Sequence, residues 1–356
     1  QYFKKQNMKK RNLSAKKKIH NFYSKNLKKS KIKNIFLKFK KKLDTQKVNS
    51  MSVAISGGPD SMALAFLSQC YAMKKNIKFY YFIVDHKIRK ESTKEAKITK
   101  EKLKNFGINC KILTWNKNKK ISNLQSNARE NRYDLIFNQC IRKKINLVLA
   151  AHHKDDLYEN FFIRLLRGSG LKGLSSFKNL KSKINKNKDI FIFRPLLDFS
   201  KNDLEYIASE TFNFFIKDPS NDNINFLRVK VRKLIYQLNK EGLDFNKFLL
   251  TLENLFKSNQ TIDFYVKKNI EENSNYLNNK KKFILNETFF NQPDEIVFRS
   301  FSEIIHTIGV KNKLTRGSKI LNLINYINFS QNFKKKTLSG CIFEKINKSI
   351  IISQEK

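Results

Sequence analysis

From residue 50 to about 212, short apolar runs alternate with longer segments of helical period. Val53–Ser56, Lys78–Val84, Cys110–Trp115, Asn146–Ala151 and Ile190–Phe193 are brief runs of the kind buried strands need. Ser61–Met73, Ser92–Phe106 and Asn123–Lys143 lie between them and predict helices, and Lys201–Phe212 predicts another after the fifth run. Strands alternating with helices predict an α/β fold, a parallel sheet with helices on both faces. Residues 181–189 are rich in lysine and asparagine and read as a loop. The chain from about 240 to 330 reads as mostly helical. The tail 334–353 alternates and holds Ser339-Gly340, which predicts a small C-terminal element with β structure. Near the start, Ile32, Ile35, Phe36 and Phe39 fall at helical spacing and predict a helix near 30–43. The expected division is an N-terminal arm over 1–50, an α/β domain over 51–235, a helical domain over 236–330 and the short β element over 331–356.

Charge adds a partner to this picture. The 356-residue chain carries a formal net charge of +43, and an anionic polymer is its natural counterpart. Lysine, asparagine, isoleucine and phenylalanine are abundant throughout, a pattern that coding bias alone also produces, with lysines solvating the surface. Residues 1–50 contain a single acid, Asp44, and basic clusters at Lys9-Lys10-Arg11, Lys16-Lys17-Lys18 and Lys40-Lys41-Lys42. The first 25 residues are expected to form a mobile basic arm, either an RNA grip or a plain solvated tail; such a composition also fits an organelle transit peptide. Cys70, Cys110, Cys140 and Cys341 are scattered without a C-x-x-C pair, which argues against a zinc or iron–sulfur site and for buried free thiols. No apolar run approaches the ~20 residues of a membrane span, and no signal-peptide core is visible, so the expectation is a cytoplasmic chain with no membrane partner.

Ligands on parallel sheets bind beyond the carboxyl ends of the strands, and the chemical residues lie just after the predicted strands. The first run leads into Ser56-Gly57-Gly58-Pro59-Asp60-Ser61. Its glycines permit a sharp turn, Asp60 and Ser61 can cap the following helix, and bare N–H groups with a helix dipole make a phosphate site. It lacks the spacing and the Lys-Ser/Thr of a Walker loop. Asp85-His86 follows the second run. Gln125, Arg129 and Arg132 share one face of the helix ahead of the fourth run. His152-His153-Lys154-Asp155-Asp156 follows that run and enters a helix. Leu157, Phe161 and Leu165 are expected as its buried stripe, with His153, Asp156, Asn160, Arg164 and Arg167 as a polar stripe facing the sheet mouth. Arg194-Pro195 ends the fifth run, Asp218-Pro219-Ser220-Asn221 makes a turn, and Arg228 and Arg232 sit four apart on a later helix.

Ser-Gly-Gly-x-Asp-Ser resembles the loop of enzymes that cleave ATP between its α and β phosphates. Together the stretches Ser56–Ser61, Asp85–Arg89, Gln125–Tyr133, Ala151–Asn160, Arg164–Gly170, Arg194–Leu197 and Asp218–Asn221 with Arg228 and Arg232 resemble the tRNA(Ile)-lysidine synthetases, in that family's order and over roughly 52–235. The resemblance implies a Rossmann-like PP-loop ATPase fold. It also implies a reaction: ATP adenylates the C2 oxygen of the wobble cytidine of a CAU-anticodon tRNA(Ile), and free L-lysine displaces AMP to give lysidine. The modified base pairs with A instead of G. Under this reading Ser56, Gly57, Gly58, Pro59, Asp60, Ser61, Asp85 and His86 bind ATP, with Asp60 on Mg²⁺. Asp60, Asp155, Asp156 and Arg129 are the catalytic candidates. Arg132, His152, His153, Asn160, Arg164, Arg167, Arg194, Arg228 and Arg232 are candidates for lysine or tRNA. Plainer readings stand beside these: Asp155 as a helix-terminus carboxylate, Arg194 and Arg228 as structural ion pairs, Trp115 as core. Two rivals are a tRNA-thiolating enzyme of the same ATP class and a non-catalytic RNA-binding protein. The missing cysteine pair argues against the first, and the intact loop and Asp155-Asp156 pair against the second.

Overall fold

The computed structural model describes residues 16–87, 91–115, 124–175, 181–183, 190–217, 227–278, 281–309, 315–330 and 333–355, with 124–130 and 181–183 as backbone only. The chain divides into two compact units, residues 1–170 with 176–244, and residues 171–175 with 245–356.

The first unit opens with helix α1 over 16–27 and α2 over Ser30–Asp44. Next come β1 (Ser50–Ile55), α3 (Pro59–Lys75), β2 (Lys78–Asp85), α4 (Ser92–Asn105), β3 (Cys110–Thr114), α5 (Leu124–Arg142), β4 (Leu147–Leu149) and α6 (Lys154–Leu165). The five-residue α7 (Leu171–Ser175) groups with the second unit. Strands β5 (Lys181–Lys183) and β6 (Phe191–Phe193) and helices α8 (Lys201–Phe212) and α9 (Leu227–Lys240) complete the first.

Its sheet runs β3-β2-β1-β4-β6-β5. The first five are parallel, and β5 closes the edge antiparallel to β6, pairing Ser182 with Ile192. Residues 181–183 therefore correct the expected loop: lysine-rich composition is compatible with an edge strand and hides backbone pairing. Side chains alternate between the faces, as strand geometry requires. Val53, Tyr81 and Ile83 face a core built with α2, α3, α4 and α8, whereas Ala54, Phe82 and Val84 face one built with α5. Helix α3 is buried along most of its length, from Ser61 through Tyr71.

The N-terminal segment departs from an appended arm over 16–44. Tyr23, Ile32, Phe36, Phe39 and Leu43 are buried in the first core, and Tyr23 Oη donates to the Phe106 carbonyl at 2.9 Å. Each such side chain contributes about 1.5–3 kcal/mol of burial. The lysines of α2 fall outside this apolar stripe, so the helix predicted near 30–43 is present and amphipathic. The first fifteen residues lie outside the described ones.

The second unit contains α10 (Phe245–Asn273), β7 (Ser274–Leu277), β8 (Lys282–Leu285), α11 (Asp294–Ile308), α12 (Gly317–Phe329), β9 (Lys335–Leu338), β10 (Cys341–Ile346) and β11 (Ser349–Gln354). Its antiparallel sheet runs β7-β8-β11-β10-β9, so the C-terminal β element takes two strands from the region expected to be helical. Phe301, Ile304, Ile324, Phe343 and Ile352 belong to its core. Buried Arg299 joins α11 to α10, donating to Glu295 (2.7 Å), Asn259 (2.7 Å) and Asp263 (3.3 Å). All four cysteines are free and buried. Among the described residues no helix is long and apolar enough to cross a membrane.

Candidate functional site

The carboxyl end of β1 passes through Ser56, Gly57 and Gly58 into α3, with Gly58 at the N-cap and Pro59 opening the helix. Gly57 adopts φ +87°, and a Cβ there would meet Thr99 Oγ1 at 2.8 Å and Ile216 Cδ1 at 3.0 Å. Only glycine fits both the backbone and the space. The Ile216 N–H donates to the Gly57 carbonyl at 2.9 Å, which ties the loop to the segment after α8. Ser61 Oγ sits inside the turn. It accepts from the N–H groups of Ser56 (3.2 Å) and Gly57 (3.1 Å) and donates to the Gly58 carbonyl at 2.9 Å. The donors that suit a phosphate are thus held together by a serine hydroxyl.

Asp60, in the first turn of α3, meets the start of α6. His153 is the N-cap of α6 and is buried. Its Nδ1 accepts from the Asp155 N–H at 3.3 Å, while the Asp156 carboxylate accepts from the His153 N–H at 3.0 Å. This reciprocal cap fixes the ring. The His153 Nε2 lies 3.6 Å from Asp60 Oδ2 and 3.5 Å from Asp156 Oδ2. Asp155 Oδ2 accepts from the Lys201 N–H at 3.2 Å, at the start of α8. Two helix N-termini thus serve the pair of aspartates, a favourable setting for anions.

Burial raises the Asp60 carboxyl to about 6, with Asp156 and Glu205 adding to the rise and His153 and Lys201 opposing it. Burial also works against the Asp156 charge, but His153, His152 and the His153 N–H outweigh it, and its pKa is lowered. Asp60 Oδ1 is buried with no hydrogen-bond partner.

At the end of β2, Asp85 is saturated: its carboxylate accepts from the Lys87 N–H (3.0 Å), Ser92 Oγ (2.9 Å) and Thr93 Oγ1 (2.7 Å). Asp85, expected at ATP, is held within the turn between β2 and α4. Its neighbour His86 accepts from Arg132 Nε at 3.1 Å and meets Trp115 edge-on at 6.3 Å. Burial, together with the Arg132 charge, lowers His86 to about 4, so the ring is neutral near pH 7. His86 Nδ1 is buried without a partner.

The expected polar stripe of α6 is more divided. Leu157, Tyr158 and Glu159 are buried, whereas Leu165 is 49% exposed, which corrects the stripe predicted through Leu165. Arg164 Nε donates to Asn160 Oδ1 at 2.8 Å along the same helix. Arg167 is exposed, and Arg194 is buried just after β6. Arg228 and Arg232 from α9 converge on Glu159, at 3.7 and 2.5 Å. The side chain of Arg129 and residues 218–221 lie outside the described ones.

Glu159, Thr99, Lys201 and Ile216 escaped the sequence reading. Glu159 carried a signal: it follows the acid pair by three residues on one helix. The backbone contacts of Lys201 and Ile216 carry none.

A strand–loop–helix of this form, opening on an acid cluster at the carboxyl end of a parallel sheet, defines the PP-loop class, and residues 28–239 match the family model of the PP-loop domain. A U34-tRNA thiolase from Methanococcus maripaludis, solved with its 4Fe-4S cluster, shares the fold at a TM-score of 0.54 and 20% identity, covering 64% of this chain and 79% of that one. The tRNA(Ile)-lysidine synthase of Wolbachia pipientis wMel is 32% identical over 309 residues, 86% of this chain and 71% of that protein. That of Rickettsia felis (strain ATCC VR-1525 / URRWXCal2) is 32% identical over 313 residues, 86% and 70%. The chain belongs to the tRNA(Ile)-lysidine synthase family.

Proposed function

We infer that this protein is an ATP-dependent carbon–nitrogen ligase that joins free L-lysine to C2 of the wobble cytidine of tRNA(Ile), releasing AMP and pyrophosphate. The observation that carries this reading is the meeting of the Ser56–Ser61 loop with the Asp60, His153, Asp155 and Asp156 cluster at the end of β1. The anticodon expected on the tRNA is CAU. In the first step the cytidine C2 oxygen bonds to the α-phosphorus of ATP and pyrophosphate departs. Loop N–H groups and the α3 dipole favour the polyphosphate. Mg²⁺ fits Asp60, whose Oδ1 is a buried oxygen without a partner, and would neutralise charge on the leaving pyrophosphate.

In the second step the lysine ε-amine bonds to C2 and AMP leaves. Its ammonium has a reference pKa of about 10.4, so a group must take a proton as attack begins. Asp155 and Asp156 can pair with the ammonium, and backbone donors orient their carboxylates, the His153 N–H that of Asp156 and the Lys201 N–H that of Asp155. Among the described residues no cysteine stands at this site, which disfavours thiolation. The test is ATP-dependent incorporation of labelled lysine into CAU-anticodon tRNA(Ile). Incorporation that needs ATP supports the reading; ATP-independent binding of tRNA alone would leave an RNA-binding protein.

A further inference from the structure

Helical serines and threonines in this protein commonly bond the carbonyl four residues back: Thr211 to Ile207, Thr251 to Lys247, Thr261 to Lys257 and Thr307 to Glu303. Thr99 on α4 does not. It is 1% exposed, and its hydroxyl is buried without a hydrogen-bond partner. A buried unpartnered hydroxyl is unfavourable and calls for a reason. This one faces the phosphate loop, 2.8 Å from where a Cβ on Gly57 would stand. Beside it, the Gly57 N–H is taken by Ser61 Oγ, as is that of Ser56. Phosphate oxygens that bind these N–H groups must displace the serine hydroxyl. The Gly57 carbonyl accepts from the Ile216 N–H at 2.9 Å and keeps a second lone pair for the Thr99 hydroxyl, and glycine at positive φ tolerates the small adjustment this needs.

We propose that Thr99 is a positioning residue for ATP: its hydroxyl bonds the Gly57 backbone when the phosphates displace Ser61 from the loop. The inference rests on the ATP reading above and adds a residue that acts through the loop, without touching the nucleotide. Thr99→Val keeps the shape and removes only the hydroxyl; Thr99→Ser keeps the hydroxyl. Calorimetric titration of the full chain with ATP and Mg²⁺ is the measurement, paired with thermal unfolding of each variant. Thr99→Val is expected to weaken ATP binding about five- to tenfold, the size of one hydrogen bond, with its Tm equal to or above the wild type. Thr99→Ser is expected to bind ATP within about twofold of wild type. Ser68→Ala removes another buried, unpartnered hydroxyl and is expected to leave ATP affinity unchanged. Wild-type affinity in Thr99→Val overturns the proposal, as does an equal loss in Ser68→Ala. A wild-type chain that binds no ATP overturns the ATP reading itself, and this inference with it.

Discussion

Asp60 carries opposed demands in one side chain. Burial makes its charge costly, and its carboxyl titrates near 6, above the ordinary 3.8. Below about pH 4 the folded and unfolded chains both hold it protonated, and it has no effect on stability. Between 4 and 6 the unfolded chain ionises first, so stability falls; above 6 the whole loss is present. Asp60→Asn should therefore stabilise the fold at pH 7.5 by about 1–3 kcal/mol and leave it unchanged at pH 4, measured by urea unfolding at both values. The same variant should fail to adenylate tRNA, since the uncharged amide loses its attraction for a divalent cation. A destabilised Asp60→Asn at pH 7.5 would show that the carboxylate is held by partners and is not strained by burial.

At the scale of elements, α6 and α9 are joined through one carboxylate. The Glu159 side chain is 4% exposed, while its partners Arg232 and Arg228 are 37% and 55% exposed. An exposed pair contributes little, and a buried charge left without its partner costs much more. Arg228→Ala should cost under about 1 kcal/mol, and Arg232→Ala about 1–3 kcal/mol, read from chemical denaturation. Equal effects would contradict the asymmetry of exposure. These two arginines were legible as a helical pair four apart, but their convergence on Glu159 was not, because a contact between distant segments leaves no local pattern. The α/β alternation was legible because β1, β2 and α8 have buried runs with clear bounds. Strands β5, β7 and β8 were not: three or four residues with lysine, asparagine and tyrosine show no period long enough to separate strand from loop. The loop Ser56–Ser61 was legible as a turn from strand to helix. Its internal bracing by Ser61 was invisible, since the same hydroxyl reads equally well as a phosphate donor.

At the scale of the molecule, a net charge of +43 predicts tRNA binding that weakens steeply with salt, with log affinity linear in log salt concentration. Each lysine or arginine that touches a phosphate should steepen the slope by about 0.7–0.9. Removing residues 1–15 deletes five basic residues and should lower the slope. An unchanged slope would make that segment a solvated tail. Cutting at residue 28 would test something else, since it removes α1 and the buried Tyr23. Tyr23→Ala alone should cost about 3–5 kcal/mol.

The bond from the Ile216 N–H to the Gly57 carbonyl also sets an order of events during synthesis. The Ser56–Ser61 loop leaves the ribosome before the segment that braces it, which is made roughly ten to thirty seconds later at ordinary elongation rates. Strand β4, which flanks β1, and the His153 cap arrive in the same interval. A growing chain therefore carries the Ser56–Ser61 loop long before it has the contacts that brace it.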